Sequence, residues 1–183
     1  MTWTIPGTTL TGNREQAERI NELFEPMFLA GGLTLSQVAS ITGLEPYTVQ
    51  NWVKRGFLTP PRNKRYDMEQ LCRIITINML KASLPLEKIC RLLGYVNGDL
   101  ADESDDTVDD AHLYFMFVRL AAQARHIGGD TAWDVALEVA TRDYIEPIPG
   151  ARERVITVLR TMLTAWIAAR FHEQVEDMVD SLV

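Results

Sequence analysis

The stretch "GLEPYTVQNWVKRGF" (residues 43–57) decides how this chain is read. Pro46 suits the first position of a helix, where its missing N–H would be unpaired anyway. Val49, Trp52 and Val53 then recur at i, i+3 and i+4, which puts them on one buried face. Tyr47, Gln50, Asn51 and Lys54 fall on the opposite side, an outward strip about two turns long. Lys54 and Arg55 add a basic pair, and Gly56 ends the helix. Such a strip is stocked with hydrogen-bonding groups, so the question is what it faces.

Outward from this stretch, the pattern is helical in both directions. Upstream, "TLSQVASITG" (34–43) predicts a helix with Thr34 or Ser36 near its start, Leu35, Val38 and Ala39 on its buried side, and Gly43 after its end. Further upstream, Ile20, Leu23, Phe24 and Met27 predict a short amphipathic helix within 12–32, bent or ended by Pro26, with Gly31-Gly32 as a break. Downstream, the two prolines of "LTPPRNKRY" (58–66) forbid a helix and predict a tight basic loop with two very short strands. Asp67 caps a helix over 67–83, and another covers 84–95, with Pro85 near its start and Gly94 at its end. An acidic segment, 96–110, then marks a boundary. A helix apolar enough from Leu113 to Ala122 to be buried on most sides follows it. Two more helices complete the chain, over 130–144 and from about 151 nearly to the end. The last would span about 50 Å. The fold class expected is mainly α.

The net charge of −7 argues at first against a polyanionic partner, but the charge is unevenly spread. Residues 34–95 hold nine Lys/Arg against four Asp/Glu, a balance of +5, whereas residues 96–183 hold seven against 17, a balance of −10. Screening limits the reach of a charge to about 8 Å at physiological salt, so the local balance governs contact. Two cysteines, Cys72 and Cys90, are too few for a disulfide framework and read as reduced core thiols. The opening residues have neither a basic start nor an apolar run, and no window approaches a membrane span, so no secretory signal, no membrane and a cytoplasmic location are expected.

Ala39 four residues before Gly43, Leu44 directly after it, and Val49 and Trp52 beyond form the pattern of a helix-turn-helix, in which the small alanine lets two helices approach closely. Residues 34–94 as a whole resemble the winged-helix DNA-binding domain of the MerR-type transcriptional regulators. "TLSQVASITGL" resembles the family's opening helix and turn, and "YTVQNWVKRGFL" its recognition helix. "PPRNKRYD" resembles its wing, and "MEQLCRIITINMLK" and "LPLEKICRLL" its two following helices. The full-length pattern also resembles a little-characterised group of MerR-like proteins from Gram-positive bacteria. The resemblance implies an N-terminal extension over 1–33, a winged helix-turn-helix over 34–95, the acidic connector 96–110 and a C-terminal helical dimerisation or effector module over 111–183. It also implies a bacterial homodimer bound to double-stranded DNA, regulating transcription, with an unidentified small-molecule effector among its partners. Gln50 and Asn51 stand where the family usually has Arg and Tyr, which implies that other bases are read, and the wing is several residues shorter.

In such a domain the second helix enters the major groove. Gln50 and Asn51 can each form the bidentate pair with adenine N6 and N7, and Tyr47 and Thr48 can reach phosphate or a thymine methyl. Lys54, Arg55, Arg62, Lys64 and Arg65 are placed for phosphates, which give affinity and register but no sequence information. Arg55 has a rival role, pairing with an acid beside Gly56 to fix the wing. Trp52 and Tyr66 read as core. Tyr114, Phe115, Phe117, Trp133 and Trp166 read either as the lining of an effector pocket or as a helical core or dimer interface. Val155, Leu159, Met162 and Trp166 follow the 4-3-4 spacing of a helix-packing stripe, which Val175, Met178 and Leu182 resume after a slip. The acidic connector is placed to lie against the basic module and compete with DNA. His172 and Glu176 are half of a zinc pattern without its second histidine, and no nucleophile–base arrangement or glycine-rich phosphate loop is present. No enzyme, metal or cofactor is therefore expected. The leading rival is a protein–protein adaptor that keeps this fold without binding DNA.

Overall fold

The computed structural model describes residues 2–98, 107–124 and 130–182. It is mainly α, with eight α-helices among the described residues and one small antiparallel hairpin. The hairpin pairs β1 (Thr2–Thr4) with β2 (Thr11–Asn13), Trp3 opposite Gly12. The helical pattern gives no hint of it, because each strand is three residues long. Its turn is nevertheless tightly specified. Gly7 has φ +74°, and a Cβ there would lie 2.6 Å from the Ile75 carbonyl oxygen, so only glycine fits.

The helix expected within 12–32 is broken into three pieces: a 3-10 turn Arg14–Arg19 capped by Asn13, α1 (Ile20–Phe24), and a second 3-10 turn Glu25–Phe28 holding Pro26. Proline at the start of that turn removes a donor the α-helix would need. Ile20 and Phe24 are buried, whereas Leu23 is exposed.

Helix α2 (Leu35–Thr42) opens with a reciprocal cap between Thr34 and Gln37 and closes at Gly43, whose φ of +68° reverses the chain into α3 (Pro46–Lys54). Val38 is buried, while Leu35 and Ala39 are half-buried. The α3 C-terminus is a Schellman motif: Phe57 N–H donates to Trp52 O and Gly56 N–H to Val53 O, with Gly56 at φ +76°. The basic loop makes no full strands. It contributes two isolated antiparallel bridges, Leu33 with Tyr66 and Arg62 with Arg65. Asn63 and Lys64 between the latter pair both have positive φ (51° and 60°), the signature of a tight I′ hairpin turn.

Helix α4 (Met68–Leu80), capped by Asp67 as expected, is buried on nearly every side and forms the centre of the molecule. Helix α5 (Leu86–Asn97) runs past Gly94, because Val96 still has core to fill and the left-handed residue that stops it is Gly98. Helices α6 (Asp110–Gln123), α7 (Asp130–Ala140) and α8 (Ala151–Asp180) follow. α6 packs most closely on α4, and α8 packs on α4, α5, α6 and α7.

One continuous core runs from Trp3 through Val38, Trp52 and the α4 apolar residues to Tyr114, Phe117 and Met162. Tyr114 Oη donates to Pro6 O at 2.9 Å, and Asn78 Nδ2 donates to Gly7 O and Thr42 O, which straps the N-terminal hairpin across this core. No described helix is long and apolar enough to cross a membrane. Most of the acidic connector, 99–106, lies outside the described residues, and so does any contact it makes with the basic module.

Candidate nucleic-acid interface

Helix α3 divides as its sequence period requires. Val49 and Trp52 are buried, and Tyr47, Gln50, Asn51 and Lys54 are exposed on the other side, with Thr48 half-buried at the edge. Tyr47 leaves 63% of its surface in water, a large apolar area for a residue with no packing role.

The cations around the strip fall into two sets. The side chains of Lys54, Arg62 and Lys64 are exposed and enter no salt bridge among the described residues. Arg55 and Arg65 are exposed but engaged. Arg55 Nη2 lies 2.8 Å from Glu87 Oε1 at the start of α5, and its guanidinium sits 4.6 Å from the centre of the Phe57 ring. Arg65 Nη1 donates to Gly32 O at 2.8 Å, bracing the chain just before α2 against the loop. Arg55 thus does pair with an acid, and that acid is Glu87 of α5, 32 residues away in sequence.

Beneath the surface lies a group the sequence pattern does not reveal. Arg73, on α4, is almost fully buried; its Nε donates to Phe57 O at 3.1 Å and its Nη1 to Asp110 Oδ2 at 3.1 Å. Burial pushes the Asp110 carboxyl above its ordinary value, and the Arg73 guanidinium pulls it back. One buried arginine therefore ties the end of α3 and the start of the loop to the start of α6. The sequence signal for it is that Arg73 is the single cation of α4, set between Cys72 and Ile74. Gln70 ties down the loop further along, donating to Thr59 O, Thr59 Oγ1 and Pro60 O.

Four of the five aromatic residues considered for an effector pocket, a helical core or a dimer interface make ring contacts with other aromatic residues. Tyr114 and Phe117 are fully buried. Tyr114 and Phe115 stack edge-on against Phe24, at 5.9 and 5.5 Å, whereas Phe117 meets Trp166 at 6.1 Å and 85°. Tyr114 and Phe115 thus share Phe24 as a neighbour, whereas Phe117 packs toward α8. Trp133, half-buried on α7, stacks on none of the other four among the described residues. Phe115 also lines a cavity of about 320 Å³, with Ile20, Asp109, His112 and Arg119. His172 and Glu176 are 3.4 Å apart on an exposed helix end, and no group of three or more metal-ligating side chains occurs among the described residues. Cys72 is buried and Cys90 half-buried, both with thiols pushed up by burial.

The family model described as "Domain of unknown function (DUF1836)" matches residues 20–117 of the chain, from the start of α1 into α6. "Uncharacterized protein YkrK" of Bacillus subtilis (strain 168) is 29% identical over 84 residues, covering 44% of this chain and 36% of that protein. The chain thus spans little more than a third of the length of this relative. No solved structure matches the chain.

Proposed function

The chain belongs to the DUF1836 family, whose description names no activity, and from the surface chemistry of α3 we propose that it is a sequence-specific DNA-binding transcriptional regulator of MerR-like, winged helix-turn-helix type. The observation that carries this reading is the division of α3. Its apolar face is locked into the core, while Tyr47, Gln50, Asn51 and Lys54 stand exposed among the described residues. A glycine turn joins α3 to a capped helix on one side, and a short basic hairpin flanks it on the other.

In this reading α3 lies in the major groove, and Gln50 and Asn51 read adenine edges, at roughly 1–3 kcal/mol of discrimination per good bidentate pair. Lys54, Arg62 and Lys64 neutralise phosphates, with Arg65 close to them along the hairpin. Two copies of the chain read a two-fold operator. The engagement of Arg55 and Arg65 within the fold favours the second reading, an adaptor that uses the same strip on a protein, because it commits two of the five cations around the strip.

Selection of fragments from genomic DNA by the purified full chain, followed by mobility-shift titration, tests the proposal. A shared motif should emerge. Gln50→Ala with Asn51→Ala should abolish the preference for it while leaving salt-dependent binding to random DNA. Selection that enriches no motif, with protein partners lost in the same double variant, overturns the DNA reading in favour of the adaptor.

A further inference from the structure

Helix α8 carries two stripes, and the fold uses only one of them. Of the stripe its 4-3-4 spacing singles out, Val155, Leu159 and Met162 are fully buried in the chain's own core and Trp166 is half-buried. Val175, Met178 and Leu182 do not resume that stripe; they belong to another face. On that face Thr157, Thr161, Thr164 and Ala168 are exposed along the first half of the helix. Phe171, Val175, Met178 and Leu182 continue it along the second half and just beyond, each between 56% and 83% exposed. These positions alternate four and three residues apart without interruption, the repeat of a coiled-coil seam. From Arg170 to Leu182 every residue is exposed, so the end of α8 projects from the body.

The first half of the seam is less polar than its threonines suggest. The hydroxyls of Thr157, Thr161 and Thr164 each donate, at 2.8 Å, to the carbonyl four residues back, on Glu153, Thr157 and Arg160. What these side chains offer a neighbour is methyl groups. One half of the seam is therefore small and the other half large.

We propose that a second copy of this chain covers this face in antiparallel fashion, the large half of each α8 lying on the small half of the other. A single register, centred between residues 169 and 170, places Leu182 over Thr157, Met178 over Thr161, Val175 over Thr164 and Phe171 over Ala168. The relation is its own inverse, as a two-fold interface requires. Charge selects the same direction. Residues 151–169 carry Arg152, Arg154 and Arg160 against Glu153, whereas residues 170–182 carry Glu173, Glu176, Asp177 and Asp180 against Arg170. Those acids sit at the C-terminal end of a helix with no basic residue in its last turn, the end where negative charge is disfavoured. Parallel pairing would set acid against acid and large against large. Antiparallel pairing brings the acidic end beside the arginine-bearing N-terminal half of the other copy.

This interface supplies the two copies that the regulator reading needs, but it forms without DNA. Sedimentation equilibrium of the full chain should give a dimer at micromolar concentration. Val175→Asp with Met178→Asp should raise the dimer dissociation constant by about 100-fold or more. The far-ultraviolet circular dichroism of the monomer should be unchanged, since both side chains lie on the exposed end of α8. Register is read by oxidation in a Cys90→Ser background: Thr164→Cys with Val175→Cys should cross-link two chains, and Val175→Cys alone should not. A wild-type monomer at tens of micromolar, a double aspartate variant that still dimerises, or efficient cross-linking by Val175→Cys alone each overturn the proposal. A chain that dimerises in this register and ignores DNA overturns only the regulator reading.

Discussion

Arg55 and Arg73 meet the same residue, Phe57, one from solvent and the other from beneath the surface. Each also pairs with a carboxylate at close range, 2.8 Å to Glu87 and 3.1 Å to Asp110. Distance alone would rank them as equals, but burial separates them. The Arg55–Glu87 side chains are 52% and 65% exposed, and the Arg73–Asp110 side chains 7% and 12%. Water screens the first pair and can replace either partner, so another anion can take the place of Glu87 at little cost. The second pair has no such substitute, because an ion left alone there would lose its solvation as well as its partner. The surface of α3 and the hairpin is thus held by exchangeable contacts, and the ground beneath it by fixed ones.

The widest expected gap between the two regions is in stability. Asp110→Ala leaves the Arg73 guanidinium buried without its counter-ion and should destabilise the chain by about 3–5 kcal/mol in urea unfolding. A loss below about 1 kcal/mol would show that water reaches Arg73 and that the contrast with Arg55 is not one of burial. A smaller loss is expected at the hairpin tip, also packed on α4. Gly7→Ala places a methyl against the Ile75 carbonyl at a positive φ. It should cost about 1–3 kcal/mol, measured the same way.

The exposed region was the more legible of the two in the sequence. The 3-4 spacing of Val49, Trp52 and Val53 fixes the inner face of α3, so the polar strip opposite follows without knowledge of any tertiary contact. Asp67 as a cap and Gly43 as a helix end were readable for the same reason: the chemistry is local. The buried region depends on what lies across the core. Arg73 reads as a surface residue until Phe57 and Asp110 are seen on either side of it, and they are 16 and 37 residues away. Gly94 reads as a stop because glycine weakens a helix, yet Val96 gains enough by burial to carry α5 onward. In α8 the large apolar residues of the buried stripe mask a second seam whose first half is threonine and alanine, which hydropathy ranks as ordinary surface. The N-terminal hairpin leaves almost no period to read, and Trp3 and Ile5 take their meaning from the core they join.

The smallest expected effect is the one that decides how Arg55 acts. Arg55→Ala should change stability by less than about 1 kcal/mol, since the pair it breaks is half in water. If Arg55 reaches a phosphate in the DNA complex, the same variant should lower the slope of log affinity against log salt by about one, at every sequence alike. Glu87→Gln separates that role from a purely structural one. It releases the guanidinium while keeping a hydrogen-bond acceptor, so an exchangeable Arg55 should bind DNA somewhat more tightly than in the wild type at low salt. Weaker binding in Glu87→Gln would mean that the ion pair holds the hairpin in place, and Arg55 would then belong with Arg73 among the fixed contacts. The comparison at Phe57 is therefore open to measurement from its exposed side, where the variant is expected to fold and only the sign of a small change is in question.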